Sequence, residues 1–160
     1  MTEISPRRLA ILAGAGSAGM LVAALGFQAI GYAPCELCIL QRWPHLAAAL
    51  IAALLIWRDH AALRWLGAAA AAIAFALAAH HSGVELGWWP GPTACSGAIG
   101  DLATMSTADL MARLQAAPVV RCDQPSWHFL GLTMAAWNAI CSAVLTLLWL
   151  RAATGRGIRL

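Results

Sequence analysis

Leu9 to Ile30 reads LAILAGAGSAGMLVAALGFQAI, 22 residues without a charge, broken only by small residues and Gln28. At 1.5 Å per residue such a run reaches roughly 30 Å, the thickness of bilayer hydrocarbon. Arg7 and Arg8 precede it. A basic start followed by an apolar run also describes a secretory leader, but a leader's apolar core is roughly 7–15 residues long, and this run exceeds that. Outward from this segment lie three further runs. The second, 39–57, is interrupted early by Gln41, Arg42, Pro44 and His45. The third, 61–79, is alanine-rich, carries Arg64 near its start and ends at His80 and His81. The fourth, 129–150, holds Asn138 and Cys141. Four spans predict an all-α membrane protein, a four-transmembrane-helix bundle forming a single domain over 1–160, with outer loops at about 31–38 and 80–128.

Composition agrees. Of 160 residues, 61% are hydrophobic and 11% charged, with a mean hydropathy of +0.72. A soluble domain is about 45–50% apolar and about a quarter charged. The net charge of +3 is small and scattered, which argues against nucleic acid as a partner. All ten basic residues are arginine, so lysine Schiff-base chemistry is excluded. The many alanines and glycines suit close helix packing in lipid, where no hydrophobic effect draws helices together.

Orientation follows from the arginines. With four spans, Arg7, Arg8, Arg58, Arg64, Arg151, Arg156 and Arg159 fall on one side, and Arg42, Arg113 and Arg121 on the other. Positive charge marks the cytoplasmic side. Both chain ends are then expected inside and the two cysteine-bearing loops outside. Trp43, Trp57, Trp65, Trp127 and Trp149 fall near span ends, as interface anchors do. Within the second loop, Thr107–Ala116 (TADLMARLQA) is predicted to be a short helix, capped by Ser106 with Asp109 as the capping-box acid. Leu110, Met111 and Leu114 would form its apolar face, lying either on the membrane surface or on the bundle.

The five cysteines are Cys35, Cys38, Cys95, Cys122 and Cys141, an odd number that leaves at least one outside an intramolecular pair. Cys35-Glu36-Leu37-Cys38 is a Cys-x-x-Cys pair in the first outer loop. Three chemistries use it: an exchangeable redox disulfide, a structural disulfide, or half a zinc site completed by Cys95 and Cys122 or nearby histidines. Pro34 restricts Ala33 to extended backbone, so the second helix should start close by. Cys38 would then sit near its N-terminus, where unpaired N–H groups and the helix dipole favour a thiolate. Arg42 lies one turn below Cys38 on the same face. An arginine at that depth either snorkels to the surface or faces an electron acceptor. Cys95 and Cys122 sit in the second loop, which has too few residues for a core of its own and is expected to move. Cys141, among Ile140, Val144 and Leu145, reads as a small hydrophobe. No haem-type Cys-x-x-Cys-His and no dinucleotide glycine fingerprint is present, which leaves a lipid-soluble acceptor as the simple electron sink.

Three segments carry a resemblance: Cys35-Glu36-Leu37-Cys38-Ile39-Leu40-Gln41-Arg42, then Gly91-Pro92-Thr93-Ala94-Cys95, then Cys122-Asp123-Gln124-Pro125-Ser126-Trp127-His128-Phe129-Leu130-Gly131-Leu132-Thr133-Met134. In this order and with four spans, the chain resembles the disulfide bond formation protein B (DsbB) family, bacterial inner-membrane thiol:quinone oxidoreductases. The resemblance implies a DsbA-like periplasmic thioredoxin-fold partner, the membrane quinone pool (ubiquinone or menaquinone) as acceptor, and no metal. It implies that Cys35 and Cys38 face the quinone, that Arg42 supports quinone binding, and that Met134 lines the quinone pocket. His45 at the outer rim suits the same acceptor, and His80 and His81 both offer themselves as the family's functional histidine. Cys95 and Cys122 correspond to the pair that exchanges with the partner, with Cys95 the sulfur that meets it. Two alternatives stand beside this relay: a quinone-independent membrane thiol–disulfide carrier, and a non-enzymatic membrane subunit with structural disulfides.

Overall fold

A computed structural model describes residues 3–92, 106–116 and 120–159. Four helices among them are long and apolar enough to cross a membrane: α1 (Pro6–Ala29), α2 (Glu36–Leu55), α3 (Ala61–Glu85) and α5 (Met134–Ala153). The short α4 (Thr107–Ala116) covers the stretch that the sequence assigns to a helix. Ser106 Oγ accepts from Asp109 N at 3.2 Å and donates to the Asp109 carboxylate at 2.6 Å, closing the expected cap. Met111 on α4 is exposed.

Helices α1, α2 and α5 begin where a side chain accepts from one of their first N–H groups. Ser5 caps α1 through Arg8 N, with Pro6 at the first helical position. Cys35 caps α2, its sulfur accepting from Cys38 N at 3.3 Å. Thr133 caps α5 through Ala136 N at 3.1 Å. The helix limits differ from the hydropathy limits at three places. Helix α2 starts at Glu36 rather than 39 because Cys35 itself is the cap. Helix α3 runs past 79 to Glu85, carrying His80 and His81 inside a helix. Helix α5 starts at Met134 rather than 129, because residues 128–133 form a tight hairpin instead. There β2 (His128–Phe129) pairs antiparallel with β3 (Leu132–Thr133) around Leu130 and Gly131, at φ 52° and 78°. Two consecutive left-handed residues are what a two-residue hairpin turn demands.

The spanning helices pack in the ring order α1, α2, α3, α5, with α3 against α5 the most extensive contact. That leaves α1–α3 and α2–α5 as diagonals. At one end of the bundle a close-packed apolar cluster joins Leu9, Ala13, Ala52, Leu55, Ala71 and Trp149. Small residues set the spacing: a Cβ on Gly14 would strike the Ala52 side chain, and one on Gly67 would strike the Trp149 ring. At this end β1 (Glu3–Ile4) pairs antiparallel with β4 (Ile158–Arg159), holding the two chain ends together. Arginines tie the helix ends here: Arg7 Nε donates to the Leu55 carbonyl at 3.0 Å, and Arg64 forms a 2.7 Å ion pair with Asp59. Elsewhere the long helices expose large apolar side chains such as Val22, Leu25, Leu50 and Leu147, the surface that lipid covers.

Candidate functional site

The other end of the bundle is built differently. A smaller cluster there joins Cys35, Leu37, Val84 and Cys122, with Cys38 packed against it. The Cys35 and Cys38 sulfurs lie 3.0 Å apart, Cys35 donating to Cys38. Cys35 is buried, and its thiol is pushed up to about 12 by the hydrogen bond with Cys38 and by burial. It therefore keeps its proton at neutral pH, which fits its role as donor to Cys38. Cys38 Sγ sits in the first turn of α2 and receives the positive end of the helix dipole.

Of the two adjacent histidines, His81 reaches the dithiol and His80 does not. His81 Nε2 is 3.7 Å from Cys35 Sγ and 3.2 Å from the Cys122 carbonyl, while His81 Nδ1 is 2.9 Å from Gln41 Nε2. His80 is exposed, with its ring stacked on Trp89 at 5.6 Å. One residue of helix turns the side chain by about 100°, so only one of the pair can face the bundle.

Below the dithiol lies a cavity of about 270 Å³. Its wall includes Cys38, Arg42, His45, His81, Met134 and Cys141, with Phe27, Trp127 and Trp137 forming an aromatic side. Phe27 and Trp127 meet edge-on at 5.0 Å, and Trp127 stacks on Phe129 at 5.9 Å. The sequence-predicted residues Cys38, Arg42, His45, His81 and Met134 thus share one chamber. Arg42 Nη1 donates to Gln28 Oε1 at 2.9 Å, bridging α2 to α1. Its Nε–H is buried and finds no hydrogen-bond partner among the described residues. A mostly apolar chamber with a thiol, a guanidinium donor and aromatic walls fits a quinone ring, which is flat and carries two acceptor oxygens. Cys141 stands in this wall as well, a position its surroundings in sequence do not reveal.

Cys122 differs from the mobile placement expected of the second loop. It is 1% exposed and packs beside Cys35. The hairpin next to it and the 2.6 Å Arg121–Asp123 ion pair belong to the same segment, and His81 holds its carbonyl. Cys95 lies outside the described residues, so its pairing with Cys122 is untouched by these contacts. Cys35, Cys38 and His81 bring their ligand atoms within 4.8 Å of one another. Among the described residues that set holds three donors, where structural zinc takes four, and Cys122 is not one of them.

Two further residues of the site escaped the sequence reading. Gln41 and Asn138 connect their helices across the α2–α5 diagonal: Asn138 Nδ2 donates to Gln41 Oε1, and Asn138 Oδ1 is 3.0 Å from His45 Nε2. Ser142 Oγ donates to Asn138 Oδ1 at 3.2 Å. The signal was present as two polar pairs, Gln41/His45 and Asn138/Ser142, each at a spacing of four in an otherwise apolar helix. Such pairs occupy one helix face, and polar groups at membrane depth turn inward.

The chain is similar in sequence to known proteins over nearly its whole length. A family model described as Disulfide bond formation protein DsbB matches residues 6–152. Disulfide bond formation protein B of Verminephrobacter eiseniae (strain EF01-2) is 30% identical over 167 aligned positions, spanning 97% of this chain and 89% of that protein. Disulfide bond formation protein B of Polaromonas naphthalenivorans (strain CJ2) is 27% identical over 159 positions, spanning 89% and 88%. No solved structure matches the chain. With four spanning helices, a Cys-x-x-Cys dithiol at one end of the bundle and a family match over nearly its whole length, the chain belongs to the DsbB family of multi-pass inner-membrane redox enzymes, which relay electrons between thiols and quinone.

Proposed function

We propose that this chain reoxidises a DsbA-like periplasmic thioredoxin-fold dithiol protein and passes the electrons to membrane quinone. The partner's dithiol exchanges with a Cys95–Cys122 disulfide. That pair, now reduced, exchanges with a Cys35–Cys38 disulfide, one S–S bond breaking as another forms at each step. The Cys35–Cys38 dithiol then gives up two electrons and two protons and closes again. A bound quinone supplies the two-electron, two-proton acceptor. Arg42 would offer its Nε–H to an acceptor oxygen, and Met134, His45 and the aromatic side chains of the same wall would surround the ring.

The observation that carries this reading is the shared wall: Cys38, Arg42 and Met134 line the same 270 Å³ cavity as the aromatic side chains. The burial of Cys122 against Cys35 supports the second exchange. The paired chain ends and the seven arginines on their side support cytoplasmic termini and periplasmic cysteines.

Purified protein mixed with quinone and a reduced thioredoxin-fold donor should form quinol and oxidise the donor in equal amounts. Cys122→Ser should trap the partner on Cys95 as a reducible mixed disulfide. Partner found mainly on Cys35 or Cys38 would reverse the order of electron flow and sink the scheme.

A further inference from the structure

One backbone carbonyl sets the orientation of the Gln41 amide. Gln41 Nε2 is 3.0 Å from the Leu37 carbonyl, which can only accept. Turning the Gln41 amide over would set two oxygens against each other, so its nitrogen faces Leu37. The same NH₂ is 2.9 Å from His81 Nδ1. An amide NH₂ only donates, so Nδ1 is the bare acceptor and the ring proton of His81 is on Nε2. That edge meets the Cys122 carbonyl at 3.2 Å, Cys35 Sγ at 3.7 Å and a Glu85 carboxylate oxygen at 3.7 Å. All three are groups that take a hydrogen bond.

The pattern continues in the other direction. Gln41 Oε1 accepts from Asn138 Nδ2, which leaves Asn138 Oδ1 to accept from His45 Nε2–H at 3.0 Å and from the Ser142 hydroxyl. His45 Nδ1 is buried without a partner among the described residues. A second proton there would bury an unsatisfied charged donor, which is far more costly than a bare lone pair.

We propose that Gln41 and Asn138 are positioning residues that hold His81 and His45 as neutral Nε2–H tautomers, so that His81 serves the dithiol as a hydrogen-bond donor and not as a base. The inference rests on the thiol–quinone reading and deepens it at the same site. When an incoming thiolate opens the Cys35–Cys38 disulfide at Cys35, which shares a buried cluster with Cys122, one S–S bond forms, one breaks, and the electron pair leaves on Cys38 Sγ at the start of α2. The His81 N–H faces Cys35 Sγ, the sulfur under attack, and orients it within the dithiol. The same N–H grips the Cys122 carbonyl, so the histidine also keeps the second pair's segment beside the first.

The test is a tautomer measurement on full-length protein in nanodiscs, with 15N-labelled histidine and resonances assigned by their loss in His81→Ala and His45→Ala. Reduced protein at neutral pH should give both residues as neutral rings with protonated Nε2 and bare Nδ1. Gln41→Glu removes both donors and should move His81 Nδ1 into the protonated range. Asn138→Leu should leave the His81 pattern unchanged and release His45 into a mixture of tautomers. A protonated His81 Nδ1 in the parent would overturn the proposal, as would a Gln41→Glu spectrum identical to the parent's. The parent spectrum decides even if a variant fails to fold. Because the signature needs no turnover, absence of quinone reduction would count against the relay alone.

Discussion

Cys38→Ala is expected to make Cys35 alkylate faster, although it removes a neighbouring thiol and changes nothing at Cys35 itself. The Cys35 thiol is raised from an ordinary 9.0 to about 12, first through its hydrogen bond with Cys38, then through burial, with His81 pulling the other way. Only the thiolate reacts with an alkylating agent. At pH 8 a thiol titrating near 12 is ionised in roughly one molecule in 10⁴, and an unperturbed one in roughly one in ten, so Cys35 should react about a thousandfold more slowly than an ordinary cysteine. Its 5% exposure slows it further. The two effects separate by pH, because access scales the whole rate curve and ionisation shapes it. Iodoacetamide labelling of reduced membranes, read by mass spectrometry of the Cys35 peptide, should rise about tenfold per pH unit from 7 to 10 without levelling. In Cys38→Ala the curve should level at lower pH, though burial keeps it above an ordinary thiol. Levelling near pH 9 in the parent would refute the hydrogen-bonded dithiol. The linkage has a definite sign. The native state holds the Cys35 proton more tightly, so this contribution to stability is complete below the unfolded value of 9.0. It declines as pH rises and is lost through about 12.

Arg42→Ala should raise the apparent quinone KM by about tenfold, the effect of losing about 1.4 kcal/mol of binding, while the thiol partner's KM stays within error; unchanged quinone kinetics would make Arg42 a surface charge. Gly67→Leu should destabilise the bundle by about 1–3 kcal/mol or more through overpacking against Trp149, measured as thermal unfolding in detergent, whereas Gly19→Leu, where a Cβ meets nothing within 4 Å, should be close to neutral. A reporter active only outside the cytoplasm should be silent when fused behind the C-terminus, and activity there would invert the orientation and the location of the cysteines. Cys141→Ala should retain disulfide transfer, with any change confined to quinone KM because the thiol stands in the cavity wall; loss of transfer would give the fifth cysteine a place in the relay.

The amino-acid sequence by itself determined the four spans, the short helix at Thr107–Ala116 with its Ser106 cap, and the grouping of Cys35, Cys38 and Arg42 at one helix start. These are local properties: length of apolar run, spacing on a 3.6-residue helix, and capping chemistry within four residues. The limits of α2, α3 and α5 were less legible, because helix ends follow caps and turns that hydropathy does not register. The choice of His81 over His80 was beyond sequence, since both carry the same side chain and only the direction of the bundle axis separates them. The same holds for Cys122, which sequence assigns to a moving loop and the fold buries against Cys35. Most of all, the link from Leu37 through Gln41 to His81, Asn138 and His45 joins residues up to 97 positions apart. Each of those polar groups is legible alone as a cost at membrane depth. Which partner offsets that cost, and therefore which nitrogen carries each proton, is decided only when α2, α3 and α5 meet.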